Sequence, residues 1–357
     1  MMSDWMALSG DPPRSRVLTF ALIVTVAVLA LAPFLFPGAK PLNVAAKICV
    51  FIALAASYDL LLGYTGVVSF AHTMFYGIGS YGVAIALFSL GPRWEAIGLG
   101  LLIALPLAAL LALVIGLFSL RVQTIFFAMI TLAVASAFAV LASQLSWLTG
   151  GEDGRSFRVP EVLQPGFTLL PREVLGVAVT GRTLTYYLVF VCCVLLFLLL
   201  LRVVNSPFGR VLQAIRENPF RAEALGYRTV VHRTLANCIA AAVAAAAGAL
   251  NALWLRYTGP DTSLSFSIML DILLIVVIGG MGTMYGAIVG ATLYMLAQNY
   301  LQALMGAVST AAGDAGIPIL PNLFHPDRWL LWLGILFIAS VYFFPTGIVG
   351  KLRGPPS

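Results

Sequence analysis

Charge is what this chain has least of. Only 10% of its 357 residues are charged, against about 25% in a soluble globular protein, while 61% are hydrophobic. That balance excludes an ordinary soluble domain and places the chain in a bilayer. Lysine is nearly absent: Lys40, Lys47 and Lys351 are the three, and none closes a G-x-x-x-x-G-K-[ST] phosphate loop. The chain therefore has no means of hydrolysing ATP alone. Histidine is equally scarce, and no H-E-x-x-H or Ser/His/Asp cluster occurs. The four cysteines (Cys49, Cys192, Cys193, Cys238) fall inside apolar runs without metal-ligand spacing, and read as small buried hydrophobes. The net charge of +6 comes without a basic run interleaved with aromatics, so nucleic acid is not an expected partner. No enzymatic activity, metal site or cofactor is expected in the chain.

What is present is a series of apolar runs. About 20 apolar residues cover a hydrocarbon core of ~30 Å. Ten runs qualify: 17–36, 42–62, 67–90, 96–120, 124–145, 184–203, 235–255, 268–279 with a small extension, 285–305 and 329–344. The first is too long for a signal-peptide core and reads as a retained span. The expectation is an all-α polytopic membrane protein of about ten transmembrane helices, some broken or re-entrant. Residues 17–350 form one membrane domain, with a short segment 1–16 before it and a tail 351–357 after it. The eighth and ninth runs are separated only by GGMG at 279–282, which reads equally as a tight hairpin or as a break within one helix.

Basic residues mark the cytoplasmic side of such chains. With the N-terminus inside, the inner loops hold eleven basic residues, Arg14, Arg16 and Arg121 among them, against four acids, Asp4, Asp11, Glu217 and Glu223. The outer side holds nine against eight. Both termini are thus expected inside, which requires an even number of spans; eight would satisfy this as well as ten. Two outer loops are long, 149–183 and 302–328.

Six arginines (Arg202, Arg210, Arg216, Arg221, Arg228, Arg233) crowd into the inner segment 202–233. Local signals there spell two short helices. Ser206 caps the first with Pro207 at its first position, and Asn218 with Pro219 repeats the pair. Gly226 closes the second in a left-handed turn. Val211, Leu212 and Ile215 form an apolar face on the first helix; Phe220, Ala224 and Leu225 form one on the second. Attraction to anionic lipid accounts for the arginines but not for two capped helices. A docked protein accounts for both.

Two acids lie within or at the ends of spans, Asp59 and Asp271. A charge at the bilayer centre costs roughly 2.5–3.5 kcal/mol, so each must face protein, water or an interface. A role in gating or in contacting an ammonium group stands beside simple capping of a helix end. Asp59 precedes GYTG at 63–66 and GIGSYG at 77–82; Asp271 precedes GGMGTMYGAIVG at 279–290. This loose echo between halves fits a fold with interrupted helices near its substrate. Around the first break, Tyr64, Thr65, Ser69 and His72 are candidates for a translocation path, with backbone N–H groups available to a carboxylate. His72 reads equally as a hydrogen-bonded structural residue. Gly282, Gly286 and Gly290, four apart, suggest one smooth helical face for packing, and the alanine run at 240–249 suggests another.

Jointly these stretches resemble the permease family of bacterial branched-chain amino-acid ABC importers, the LivM-like half. The likeness rests on GYTGVVSFAH…GIGSYG at 63–82, LTGGEDG at 148–154, FGRVLQAIRENPFRAEALG at 208–226, IGGMGTMYGAIVGA at 278–291 and FFPTGIVG at 343–350. Phe70-Ala71, and Met74 to Gly77, depart from the family's usual wording. The resemblance implies that 202–233 holds a cytoplasmic coupling helix seated in a cleft of an ATPase. The positions implied are Gly209, Arg210, Ala214, Ile215, Arg216, Glu217, Glu223, Ala224, Leu225 and Gly226. It implies a bacterial inner-membrane permease working with a second homologous permease, two ATP-binding subunits that hold ATP and Mg, and a periplasmic substrate-binding protein; 149–183 and 302–328 would be periplasmic. Relatives for urea and short amides leave the substrate open. A self-sufficient ion-coupled carrier using Asp59 and Asp271, and a scaffold subunit with no path of its own, are the alternatives from other classes.

Overall fold

A computed structural model describes residues 15–353 apart from 37, 120–123, 169–177, 315–319 and 345. Arg14, Arg121, Asp4 and Asp11 of the charge reading lie outside the described residues, as do parts of both long outer loops. The chain runs through α1 (Arg16–Leu35), α2 (Ala39–Thr65), α3 (His72–Leu90), α4 (Trp94–Ser119), α5 (Thr124–Gln144) and α6 (Gly181–Val204). Two short helices follow, α7 (Pro207–Glu217) and α8 (Pro219–Ala224). Then come α9 (Thr229–Leu255), α10 (Phe266–Gly279), α11 (Met284–Asp314), α12 (Trp329–Phe343) and α13 (Gly347–Arg353). A helix stands at each of the ten expected spans. Nine stretches among the described residues are long and apolar enough to cross a bilayer. The exception, α11, is a 31-residue helix with Gln298 and Asn299 in its length, and it extends to Asp314 where a loop was expected from 302.

Burial separates an axis from a rim. In α2 89% of the apolar window is buried, as expected of a helix apolar on all sides. In α1 and α5 the share is 22%, so most of their surface is left to lipid. Around α2, the alanines of α9 (Ala240, Ala241, Ala244, Ala245, Ala247) are fully buried. Glycine brings α3 and α9 into backbone contact: a Cβ at Gly79 would strike the Ala245 carbonyl, and one at Gly248 the Tyr76 carbonyl. Gly82 and Gly100 do the same between α3 and α4. Small residues at helix crossings are how bilayer proteins gain packing when apolar burial gives little.

GGMG is a hairpin. α10 ends at Gly279 and α11 starts at Met284. The two then pack antiparallel, Gly286 against Gly279 and Gly290 against the Ile275 carbonyl. The expected three-glycine stripe is thereby corrected to two members. Gly282 sits in the turn at φ +80°, a conformation the helix does not use, so its contacts lie elsewhere.

The third span begins later than its apolar run. Gly66, at φ +71°, closes α2 in a left-handed cap, with the Val67 amide bonded back to the Leu61 carbonyl at 3.2 Å. Residues 67–71 are not helical. They carry the chain back along α2, so that His72, the first residue of α3, meets Ser57. Ser57 is eight residues before Thr65, so α3 starts about 12 Å inside the end of α2. From the opposite end, residues 256–265 turn inward. Tyr257 and Thr258 form a short strand β2, paired with β1 (Arg155–Ser156), and Thr258 bonds Ser80 of α3 at 2.5 Å. Leu264 lies against Gly77, and the Phe266 ring lies 6.1 Å from that of Phe70. Two re-entrant segments thus meet beside the first turns of α3 and α10.

Candidate functional site

The basic bend is built as its capping residues dictate. The Gly209 amide donates to Ser206 Oγ at 3.4 Å, and the Arg221 amide to Asn218 Oδ1 at 3.0 Å, with Pro207 and Pro219 at the first helical positions. Gly226 takes φ +92°. The Thr229 hydroxyl donates to Glu223 Oε1 at 2.6 Å, tying the end of α8 to the start of α9. Inward, Leu212 and Ile215 are fully buried, and Gly209 lies against the backbone of Val204. Outward, Phe220 is 82% and Leu225 72% exposed, a large apolar area on so short a segment. Between α7 and α8 lies a groove of about 460 Å³ lined by Arg210, Val211, Ala214, Glu217, Arg221 and Leu225, among others. The ten coupling candidates therefore divide. Gly209 and Ile215 are buried against the chain; Arg216 and Glu223 are exposed but bond back to it at Gly63 and Thr229; Arg210, Ala214, Glu217, Ala224 and Leu225 are exposed; Gly226 sets the turn, with open space beyond it.

Arg216 reaches furthest inward. Its Nη1 donates to the carbonyl of Gly63, and its stem lies 3.3 Å from where a Cβ would stand on Gly66. An arginine thus caps the end of the central helix, where carbonyls have no helical partner. One turn back on the same face, Asp59 is 1% exposed. Its Oδ1 accepts the Gly282 amide at 2.9 Å, from the α10–α11 turn. A Cβ at Gly63 would collide with Asp59 Oδ1 and the Gly282 nitrogen, and one at Gly282 would meet Arg216 Nη1 at 2.8 Å. The two glycine turns that echo each other in sequence therefore touch, and the basic bend rests on both.

The translocation candidates do not converge on one chamber. Thr65 bonds its own helix at the Leu61 carbonyl, and Tyr64 is buried on the same last turn of α2. Ser69 accepts the Ala71 amide at 3.3 Å. His72 is fully buried, with Nε2 2.8 Å from Ser57 Oγ and its ring edge-on to Tyr58 at 5.3 Å. Asp271 is held elsewhere, by the Tyr294 hydroxyl at 2.6 Å and Gln298 Nε2 at 3.2 Å, both from α11. From Met284, where α11 starts beside Gly282, to Tyr294 is ten residues, about 15 Å of helix, so the two acids occupy different levels of the bundle. No group of three or more His, Cys, Asp or Glu that would hold a metal occurs among the described residues.

The roles of five participants went unread in the sequence. Ser57 and Thr131, which accepts the Phe70 amide at 3.0 Å, are single hydroxyls in apolar helices with nothing local to mark them. Gly63 reads as part of a break and gives no hint of an arginine partner 153 residues away. Tyr294 and Gln298 had a usable signal: two polar residues one turn apart on an otherwise apolar helix face.

The family described as "branched-chain amino acid transport system / permease component" matches residues 40–341. The chain is 28% identical to the high-affinity branched-chain amino acid transport system permease protein LivM of Salmonella typhimurium, over 83% of this chain and 71% of that one. It is 26% identical to the Pseudomonas aeruginosa permease BraD, over 77% of this chain and 90% of the relative. A probable LivM of Methanocaldococcus jannaschii is 26% identical over 71% of this chain and 69% of its own length. No solved structure matches the chain.

Proposed function

The chain belongs to the permease family of branched-chain amino-acid ABC transport systems, and from that premise we propose that it is one of two membrane halves of a bacterial importer driven by separate ATPases. The second half is a homologous permease. Two ATP-binding subunits dock on α7 and α8 in the cytoplasm, and a periplasmic protein delivers the substrate to the other end. The permease sits in the inner membrane with both termini inside. Its cargo is a branched-chain or closely related amino acid.

One observation carries the reading. The basic bend is rigid by construction, capped at both helix starts and closed by Gly226, yet it presents Phe220 and Leu225 to solvent beside an open groove. A partner that covers this apolar ground gains the area removed from water. With no phosphate loop in the sequence, this reading leaves nucleotide hydrolysis to that partner. An ion-coupled carrier has less support, since Asp59 and Asp271 are engaged by separate donors at separate levels.

The test is Leu225→Glu in the complex reconstituted with its co-encoded subunits. Binding-protein-stimulated ATP hydrolysis is expected to fall at least about tenfold, as a charge is driven into an apolar contact. Stimulation at the unsubstituted level would remove the docking reading. Uptake by the purified chain alone, driven by an ion gradient, would replace it with the carrier.

A further inference from the structure

The reading of α7 and α8 as the ATPase contact leaves open how their movement enters the membrane. Three segments meet at one place: the last turn of α2, the inward face of α7 and the α10–α11 turn. The contacts there are few and polar. Arg216 donates to the Gly63 carbonyl, and Asp59 Oδ1 accepts the Gly282 amide. The other carboxylate oxygen, Oδ2, is buried and has no hydrogen bond of ordinary geometry among the described residues; the Thr283 amide adds only a weaker electrostatic contact. Arg216 and Asp59 are not joined as an ion pair, although the guanidinium is near enough for its charge to act on the carboxylate. Residues 59 and 63 are four apart on one face of α2, and a Cβ on Gly63 would strike Asp59 Oδ1, so the carboxylate lies beside the residue whose carbonyl Arg216 caps.

We infer that Arg216 and Asp59 are the positioning residues of a two-position latch, in which the guanidinium rests on the Gly63 carbonyl in the form seen here and moves across onto the neighbouring Asp59 carboxylate when α7 shifts. Each position leaves one acceptor short. On Gly63 the buried carboxylate oxygen goes unpaired; on Asp59 the helix-end carbonyl does. Two arrangements that each lack one bond are close in energy, which is what a switch moved by a partner requires. Gly63 and Gly282 belong to the device because a side chain at either would fill the space the guanidinium crosses. Since Asp59 also holds the Gly282 amide, the second position loosens or reorients the α10–α11 turn, and with it the helix that follows the inward-turning residues 256–265.

This inference rests on the docking reading, and its test separates the two. Asp59→Asn keeps an oxygen for the Gly282 amide and removes the charge. Arg216→Gln removes the donor fork. Each is made singly and together in the reconstituted complex, with Arg216→Lys as the conservative variant. Co-purification of the ATPases reads docking; solute taken up per ATP hydrolysed reads the latch. Each single variant is expected to keep its ATPases and lose about tenfold in solute per ATP. The double variant is expected to be no worse than the poorer single, because both act on one connection, and Arg216→Lys to regain part of the loss. The latch is overturned if Asp59→Asn couples as the unsubstituted protein does, or if the double loss is the product of the single losses. Loss of the ATPases from Asp59→Asn or Arg216→Gln would likewise overturn it, since their role would then be to support the docking surface.

Discussion

The α3–α9 crossing and the meeting of α2, α7 and the α10–α11 turn are both places where backbones approach to contact, and they are built in opposite ways. At the crossing, Gly79 and Gly248 face the carbonyls of Ala245 and Tyr76, and the surrounding alanines are fully buried. The packing there is close and mainly apolar, so displacement loses dispersion contacts. At the three-way meeting the surfaces are held by single polar bonds from Arg216 and Asp59, each with another acceptor or donor within reach. Close packing fixes one arrangement; sparse polar contact permits two. The difference assigns the α3–α9 pair to the frame and the α2 end to the moving part.

That contrast breaks most visibly at Gly79. Gly79→Leu drives a side chain into the α9 backbone and is expected to remove several kcal/mol, about 3 or more, enough to abolish folded protein in detergent extracts read by size-exclusion and thermal unfolding. A normal unfolding temperature would mean that the helices can part. Arg216→Gln should do the reverse, leaving the unfolding temperature within about 2 °C while solute per ATP falls about tenfold. A matching fall in stability would erase the distinction between frame and moving part. Asp271→Asn, which weakens the bonds from Tyr294 and Gln298, is expected to lower stability by about 1 kcal/mol with little effect on coupling. Coupling lost in proportion to Asp59→Asn would place both acids in one device. The smallest effect is expected from Ser57→Ala, roughly 0.6 kcal/mol in unfolding free energy from one intramembrane hydrogen bond to His72. A larger loss, in uptake and not in stability, would give His72 a role beyond its hydrogen bond.

Spans and caps were legible because their causes are local. Apolar runs located the ten helices that stand at the expected spans among the described residues, and Ser206-Pro207, Asn218-Pro219 and Gly226 announced the bend that the structure builds from them. The start of α3 was not legible. Val67, Val68, Phe70 and Ala71 are as apolar as any span, and their non-helical path depends on Gly66 turning the chain and on Thr131, 61 residues from Phe70, accepting the Phe70 amide. Gly282 misled for a related reason: four-residue spacing implies a shared helical face only if all members are helical, and this one ends a turn whose amide is claimed by Asp59 from 223 residues away. Charge placed Asp59 and Asp271 as residues needing partners, but the identity of a partner across the bundle is a property of topology.

The enclosure of α2 has a consequence for how the chain is made. A helix with 89% of its apolar window buried leaves the ribosome before the helices that wall it in, α6, α9 and α11, which are synthesised more than a hundred residues later. Until they arrive, Asp59 has neither Arg216 nor the Gly282 amide, and a carboxylate waiting in lipid is unfavourable. Insertion must therefore hold α2 in a sheltered or shallow place during synthesis and draw it to the centre only when the second half of the chain has been threaded, so that biogenesis and the final assembly of the latch are one event.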